Sequence, residues 1–381
     1  MNSGEICARH YRTGKPIRVI WQNGRVNAIL RHNKPVPRDF WIAPALVDLQ
    51  VNGFGGVDFQ QDDLPLGSLV TATRRLRLAG CGRYLLTLIT DEWLRMLLRL
   101  RDLRELRARS ADLRHAIAGW HVEGPFLSAE PGFCGAHDPS LMIDPTSKHL
   151  RELRQVTGAD PVLLTLAPER PNALAVIEEA VSLGFKVSLG HTNASSEIIA
   201  AAVKRGATGF THLGNGCPRT IDRHDNIFWR ILESRGLTAS LIPDTTHVSP
   251  APFRVIHRLL ENDAIYYVSD AMAAAGMKPG RYRLGRLELE VGTDQVVRLP
   301  GQPNFAGSAL RPIDGILRAA GMLGCSWRDV WPRFSETPAK LMSWSCKLEP
   351  GEPADFCLLN VIEPNALKKL AVYVNGALCE P

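Results

Sequence analysis

The chain has 381 residues, with 45 Lys and Arg against 39 Asp and Glu, a net charge of +6, and 45% of its residues are hydrophobic. That length exceeds one ordinary domain of roughly 100–200 residues and can bury a large core, which with this hydrophobic share argues against disorder. The charge is too small for a protein that coats nucleic acid, and no apolar run approaches the about 18 residues of a membrane-spanning helix.

The first forty residues read as short β segments: 17–21, the turn signal Gln22-Asn23-Gly24, then 26–30, with Pro35, Pro37 and Pro44 after them. Residues 1–19 lack the apolar stretch of a signal peptide. From residue 45 the pattern alternates. Apolar runs at 45–50, 84–89, 117–122, 162–166, 187–189, 209–212, 237–242 and 265–268 predict strands. Helical periodicity lies between many of them, at 66–78, 93–109, 173–183, 195–204 and 250–260. Eight rounds of strand and helix predict an α/β fold, a (β/α)8 TIM-type barrel, with a doubly wound open sheet as the competitor. The last segment returns to β character at 354–359 and 370–374, followed by Asn375-Gly376. We therefore expect residues 1–44 and 346–381 to form a small β-sandwich domain built from both termini, and residues 45–345 to form the barrel.

Arg95, Arg99, Arg101, Arg104, Arg107 and Arg109 crowd one helical stretch, but Asp102, Glu105 and Asp112 are interspersed. A solvated outer face of a barrel helix explains this better than a nucleic-acid or membrane surface. The eight cysteines show no C-x-x-C spacing, and a chain this long needs no disulfide framework, so reduced thiols in a cytoplasm are expected. Asn193-Ala194-Ser195 is a formal glycosylation sequon that chance explains.

In such a barrel the active site lies at the C-terminal ends of the strands. Six of the apolar runs end in polar residues: Asp48 with Gln50 and Asn52, His121 with Glu123, His191, His212 with Asn215, Asp244 with His247, and Asp270. A buried carboxylate or imidazole is costly unless paired, so one of them would pass as structural and six would not. Glu123, His191 and His212 supply one carboxylate and two imidazoles. Three protein ligands leave a position open, as a catalytic zinc-type site requires. Asp270 on the last strand would face the same water.

At these residues the chain resembles the amidohydrolase superfamily, and within it the N-acetylglucosamine-6-phosphate deacetylases. The resemblance rests on Asp48-Leu49-Gln50-Val51-Asn52-Gly53, His121-Val122-Glu123-Gly124-Pro125, Gly135-Ala136-His137-Asp138-Pro139, Gly190-His191-Thr192-Asn193, Thr211-His212-Leu213 with Asn215, Ser269-Asp270-Ala271-Met272, and Ala306-Gly307-Ser308. It implies a metal-dependent hydrolase that removes acetate from an N-acetylated amino sugar, most directly its 6-phosphate. Glu123, His191 and His212 would bind the catalytic metal. Asp270 would take a proton from the attacking water and pass it to the leaving amine, and His137 would help polarise the scissile carbonyl. Asn215, Gly216, Arg223, His247 and Ala136 fall where the family binds substrate. The arginine is usually lent by a neighbouring subunit, which implies a homodimer.

Many superfamily members carry His-x-His after the first strand and hold a second metal there. This chain has Gln50 and Asn52, and amides are poor ligands for zinc, so one divalent metal per subunit is expected. Zn2+ leads, with Fe2+, Mn2+ and Co2+ acceptable to the same donors. Departures from the family pattern cluster around the substrate pocket: Gly216 for alanine, Cys134 where a lysine is common, and Asp222-Arg223-His224-Asp225-Asn226, where the two aspartates either face a phosphate or pair with Arg223 and His224. The chemistry is thus more firmly indicated than the phosphorylated sugar. Another N-acyl substrate, or a non-catalytic binding protein, stays open. Neither a nucleic-acid nor a membrane partner is expected.

Overall fold

In a computed structural model, which describes residues 2–301, 305–362 and 365–380, eight parallel strands form one sheet. They are β1 (Leu46–Val51), β2 (Cys81–Ile89), β3 (Ile117–Glu123), β4 (Val162–Leu166), β5 (Lys186–Leu189), β6 (Gly209–Phe210), β7 (Thr238–Leu241) and β8 (Ile265–Tyr267). Each pairs with the next in sequence. Strands of this kind are covered on both faces, and β1, β4 and β8 are buried along their whole length.

The sheet closes between the ends of β1 and the segment after β8. Val51 bridges Ala271, and the backbone N–H of Asn52 donates to the Ala271 carbonyl at 2.7 Å. Asp48 completes the seam: both its carboxylate oxygens accept from the Ser269 N–H at 3.2 Å. Burial pushes the Asp48 carboxyl up to about 7. The sequence pattern left barrel and open sheet as competitors, and this seam decides for the barrel.

Helices Leu66–Leu78, Trp93–Ala108, Ala173–Ser182, Ser196–Lys204 and Pro250–Leu259 lie where periodicity predicts them. Ser195 stands just before its helix and accepts from the Ile198 N–H as an N-cap. Helices at Ser147–Thr157, Ile227–Glu233 and Pro312–Leu323 complete the outer ring. A three-stranded antiparallel sheet, Gly280–Leu284, Leu287–Val291 and Val297–Arg298, is inserted after β8 and was not expected from the sequence pattern.

The arginine-rich helix is largely the charged outer face expected, but Arg99 is buried. It pairs with Asp91 at 3.3 Å and Asp62 at 2.8 Å. Arg286 of the inserted sheet joins Asp91 at 2.7 Å, so this network ties the insertion to the barrel.

The two chain ends form one seven-stranded mixed sheet. Strands Gly4–His10, Pro16–Gln22, Arg25–Arg31 and Phe40–Pro44 come from one end, and Phe356–Ile362, Ala366–Val374 and Ala377–Leu378 from the other. The Asn23-Gly24 turn takes positive φ at both residues (52° and 76°), as a tight hairpin requires. This sheet coils back on itself, and Arg25 on its edge strand bridges Pro353. Trp21, Phe356 and Tyr373 pack at its centre, with Trp21 edge-on to both rings at 5.3 and 5.7 Å. The sandwich-like enclosure is therefore made by one continuous ladder.

Candidate active site

Glu123, His191, His212 and Asp270, with Gln50 and Asn52, come together at one mouth of the barrel, while Asp48 is spent on the seam. Glu123 is the last residue of β3, while His191 and His212 follow β5 and β6 by two residues. All three are buried, and their ligating atoms lie within 4.8 Å of one another. His212 Nε2 stands 2.9 Å and His191 Nε2 3.5 Å from the same oxygen, Glu123 Oε1. His191, His212 and Asp270 all adopt positive φ, at 50°, 34° and 50°. Non-glycine residues rarely do so, and here the backbone turns sharply as it leaves each strand.

The imidazole tautomers follow from their neighbours. His191 Nδ1 lies 2.9 Å from the Phe133 carbonyl, which can only accept. Nδ1 therefore carries the proton, and Nε2 keeps its lone pair toward Glu123. Burial alone would raise the Glu123 carboxyl, but the adjoining His191 and His212 imidazoles hold it well below the usual range. Two imidazole nitrogens and an ionised carboxylate oxygen in one small volume form a donor set that fits a divalent cation. His212 Nδ1, buried without a partner, is the only loose polar atom among these three residues in the described structure.

Asp270 stands beside this cluster. Its Oδ1 accepts from Asn52 Nδ2 at 2.7 Å and Gln50 Nε2 at 3.0 Å, and Gln50 Nε2 is also 3.1 Å from Glu123 Oε2. Gln50 thus stands between the two carboxylates and Asn52 beside Asp270, both as donors, consistent with their being poor metal ligands. Burial first, then repulsion from Glu123, pushes the Asp270 carboxyl up to about 7.

His137 packs edge-on against His191, with ring centroids 4.5 Å apart. Its Nδ1 is 2.9 Å from Thr90 Oγ1 and receives the Thr90 backbone N–H at 3.4 Å. An accepting Nδ1 leaves the proton on Nε2. Burial, then the neighbouring His191, pulls His137 down to about 3, so the ring is neutral and a donor.

The glycines nearby are required by close approach. A Cβ at Gly216 would lie 2.9 Å from His191 Nδ1, and one at Gly135 would lie 2.8 Å from His191 Cε1. Both have positive φ, 62° and 59°. The imidazole of His191 is thus clamped between two backbone segments, and the glycine at 216 follows from that clamp.

The remaining pocket residues are more scattered. His247 Nδ1 pairs with Asp244 Oδ2 at 2.6 Å, and its ring packs against Phe305. Ala136 packs against the cluster that includes Met272 and Ala273. Asn215 is half-buried, and its own N–H donates to the His212 carbonyl at 2.9 Å. That N–H is therefore not free for an anion. Arg223 is exposed, and its Nε contacts His224 Nε2 at 3.1 Å. Asp222 accepts the N–H groups of His224 and Asp225, and Asp225 pairs with Arg230 at 2.7 Å. The two aspartates buttress the loop, but through partners other than Arg223 and the His224 ring.

Sequence reasoning did not assign roles to Asp244, Thr90 or the Phe133 carbonyl. Only Asp244 left a signal, a carboxylate three residues before His247 at the end of the same strand.

A parallel barrel whose strand ends bring a glutamate and two histidines together, with an aspartate from the last strand beside them, defines a hydrolase of the amidohydrolase superfamily. No protein-family model matches the chain. It is 31% identical over 350 residues to bovine (Bos taurus) N-acetylglucosamine-6-phosphate deacetylase, covering 88% of this chain and 83% of that protein. The corresponding enzyme of Bacillus subtilis is 29% identical over 307 residues, 80% of this chain and 76% of its own length. Among solved structures, a mutant of N-acetyl-D-glucosamine-6-phosphate deacetylase from Mycobacterium smegmatis, in complex with N-acetyl-D-glucosamine-6-phosphate, superposes with a TM-score of 0.87 at 28% identity, covering 99% of both chains. The chain belongs to the N-acetylglucosamine-6-phosphate deacetylase family.

Proposed function

We propose that this enzyme hydrolyses the acetamide of N-acetylglucosamine 6-phosphate, giving glucosamine 6-phosphate and acetate. The observation that carries this reading is the convergence of Glu123, His191 and His212 beside a carboxylate, Asp270, whose Oδ1 is already occupied by two amide donors.

Glu123 Oε1, His191 Nε2 and His212 Nε2 would hold one divalent ion. When bound, such an ion supplies a Lewis acid that polarises a carbonyl and makes water a better nucleophile. Asp270 acts through Oδ2, the oxygen left free by Asn52 and Gln50. It takes the proton from the attacking water as the water oxygen bonds to the acetyl carbon. It then delivers that proton to the sugar nitrogen as the C–N bond breaks, general base then general acid. His137 donates its Nε2–H to the developing oxyanion. Asn215, Gly216, Ala136, His247 and Arg223 form the substrate pocket, with Arg223 and His247 toward the phosphate.

We read the metal as zinc, since the set is rich in imidazole. We also propose a homodimer, in which the exposed Arg223 serves a neighbouring subunit; Ile221 and Trp229 expose apolar surface beside it. A cytoplasmic location agrees with eight unpaired cysteines. No helix among the described residues is long and apolar enough to cross a membrane. The domain division we favour is 1–44 with 346–381 for the small β domain and 45–345 for the barrel.

The test is acetate release by metal-reconstituted protein from N-acetylglucosamine 6-phosphate, N-acetylglucosamine and a panel of N-acyl amino acids. This reading requires the phosphorylated sugar to be the best substrate. Equal rates on the two sugars, or a preference for an N-acyl amino acid, would reject it.

A further inference from the structure

Asp244 follows β7 by three residues and sits at the head of a tight loop. Its Oδ1 accepts the backbone N–H groups of Thr246 and His247, both at 2.8 Å, and Thr245, next after Asp244, takes φ +73°. This is an aspartate-headed turn that fixes the direction of the carboxylate. Its second oxygen, Oδ2, then meets His247 Nδ1 at 2.6 Å. From outside, Arg318 on the helix Pro312–Leu323 donates to the Asp244 carbonyl at 3.1 Å and pins the loop. The imidazole is enclosed, with its side chain 5% exposed, and lies against Phe305. Among the described residues no hydrogen bond is made by His247 Nε2.

One end of this imidazole is therefore fully committed to a carboxylate that cannot turn away, and the other end is unused. A histidine that only filled space would not need so rigid an anionic partner. We propose that Asp244 is a positioning residue for substrate, one that turns His247 into a cation whose free Nε2–H reads the dianionic phosphate of the sugar. This rests on the sugar-phosphate reading given above.

The charges that face His247 agree. Burial opposes its protonation, but Asp244, and behind it Asp270 from the segment after β8, raise its pKa above the ordinary histidine value. Phe305 contributes no charge, and Arg318 reaches the carbonyl of Asp244 rather than the ring. A buried carboxylate and imidazolium share their charge inside the protein, while the Nε2–H remains a charge-assisted donor.

Asp244→Asn separates charge from shape. Its amide oxygen can still hold the turn, while its N–H2 faces Nδ1. The ring must then accept at Nδ1 and keep its proton on Nε2 as a neutral donor. The experiment measures kcat and KM on N-acetylglucosamine 6-phosphate and on N-acetylglucosamine at pH 7, together with the His247 titration midpoint by NMR. We expect the preference for the phosphorylated sugar to fall about tenfold, mainly through KM, the difference between a charge-assisted and a neutral hydrogen bond. The His247 midpoint should fall as well, and Asp244→Glu, which keeps the charge, should hold the preference closer to wild type.

A wild-type enzyme that favours the phosphorylated sugar, with an Asp244→Asn variant that favours it equally, overturns the role of Asp244 alone. An unmoved His247 midpoint in a folded Asp244→Asn variant overturns it too. A wild type that ignores the phosphate rejects the sugar-phosphate reading, and this proposal with it.

Discussion

Asn52 donates its side-chain N–H to Asp270 Oδ1 across 2.7 Å, joining the end of the first barrel strand to the segment after the last. With Gln50 on the same oxygen at 3.0 Å, it fixes which face of Asp270 is left for chemistry. An amide thus does here, by hydrogen bonding, what a second cation would do by charge: it stabilises a carboxylate close to Glu123.

Asn52→Leu removes this donor while keeping the number and branching of the side-chain heavy atoms. A hydrogen bond to a charged group contributes about 1.5–3 kcal/mol, so kcat should fall by roughly tenfold to a hundredfold. Metal content should be unchanged, because the Asn52 side chain hydrogen-bonds Asp270 and none of Glu123, His191 or His212 among the described residues. Steady-state kinetics and elemental analysis of one preparation check both halves.

Asp270→Asn and Glu123→Gln should fail differently. Loss of a general base costs about 10²–10⁴ in rate, so the Asp270 variant should keep its metal and lose turnover. Glu123→Gln removes the only anionic donor of the cluster and should lose the metal itself. An Asp270→Asn protein with normal turnover would contradict the proposed proton relay.

Gly216→Ala should disturb the metal through His191. The new Cβ would sit 2.9 Å from Nδ1, at a φ of +62° that alanine resists. It would press on the hydrogen bond between His191 and the Phe133 carbonyl. Disturbing such an orienting bond weakens metal binding by about 10–100-fold, measurable by competition with a chromophoric chelator.

The buried Asp48 predicts a pH dependence of stability. Its folded pKa, about 7, lies above the unfolded value near 3.8, so the folded state favours the protonated acid. The stability linked to Asp48 is therefore full below the unfolded value and is lost as pH rises through about 7. Asp48→Asn has no such loss. The variant should gain on wild type by up to about 4 kcal/mol between pH 4 and pH 8, at 1.36 kcal/mol for each pKa unit. Denaturant melts of both proteins across this range test the sign. A stability difference independent of pH would show that Asp48 is ionised throughout.

The metal cluster was legible because barrel geometry puts strand ends together, so Glu123, His191 and His212 needed only to be read as the polar stops of apolar runs. The same rule found Asp270 and His247. What escaped were contacts between distant segments and uses of backbone atoms. Asp48 meets Ser269 across 221 residues of chain, which no local periodicity encodes. The Asn215 N–H is spent on the His212 carbonyl, a use that the side-chain pattern does not encode. The inserted sheet at 280–298 is held by Gly285 N–H to Asp58 and by Arg286 to Asp91, pairings whose register lies outside its own residues. Arg99 looked like one more surface arginine until Asp91 and Asp62 closed around it.

Titration of metal-free protein with a divalent ion, following acetate release from N-acetylglucosamine 6-phosphate, tests the central claim most directly. The account predicts activity that climbs linearly and stops at one equivalent per chain, with no binding at that site in Glu123→Gln. Activity that needs two equivalents, or a Glu123→Gln protein that binds and turns over as wild type does, would contradict a single centre built on Glu123, His191 and His212.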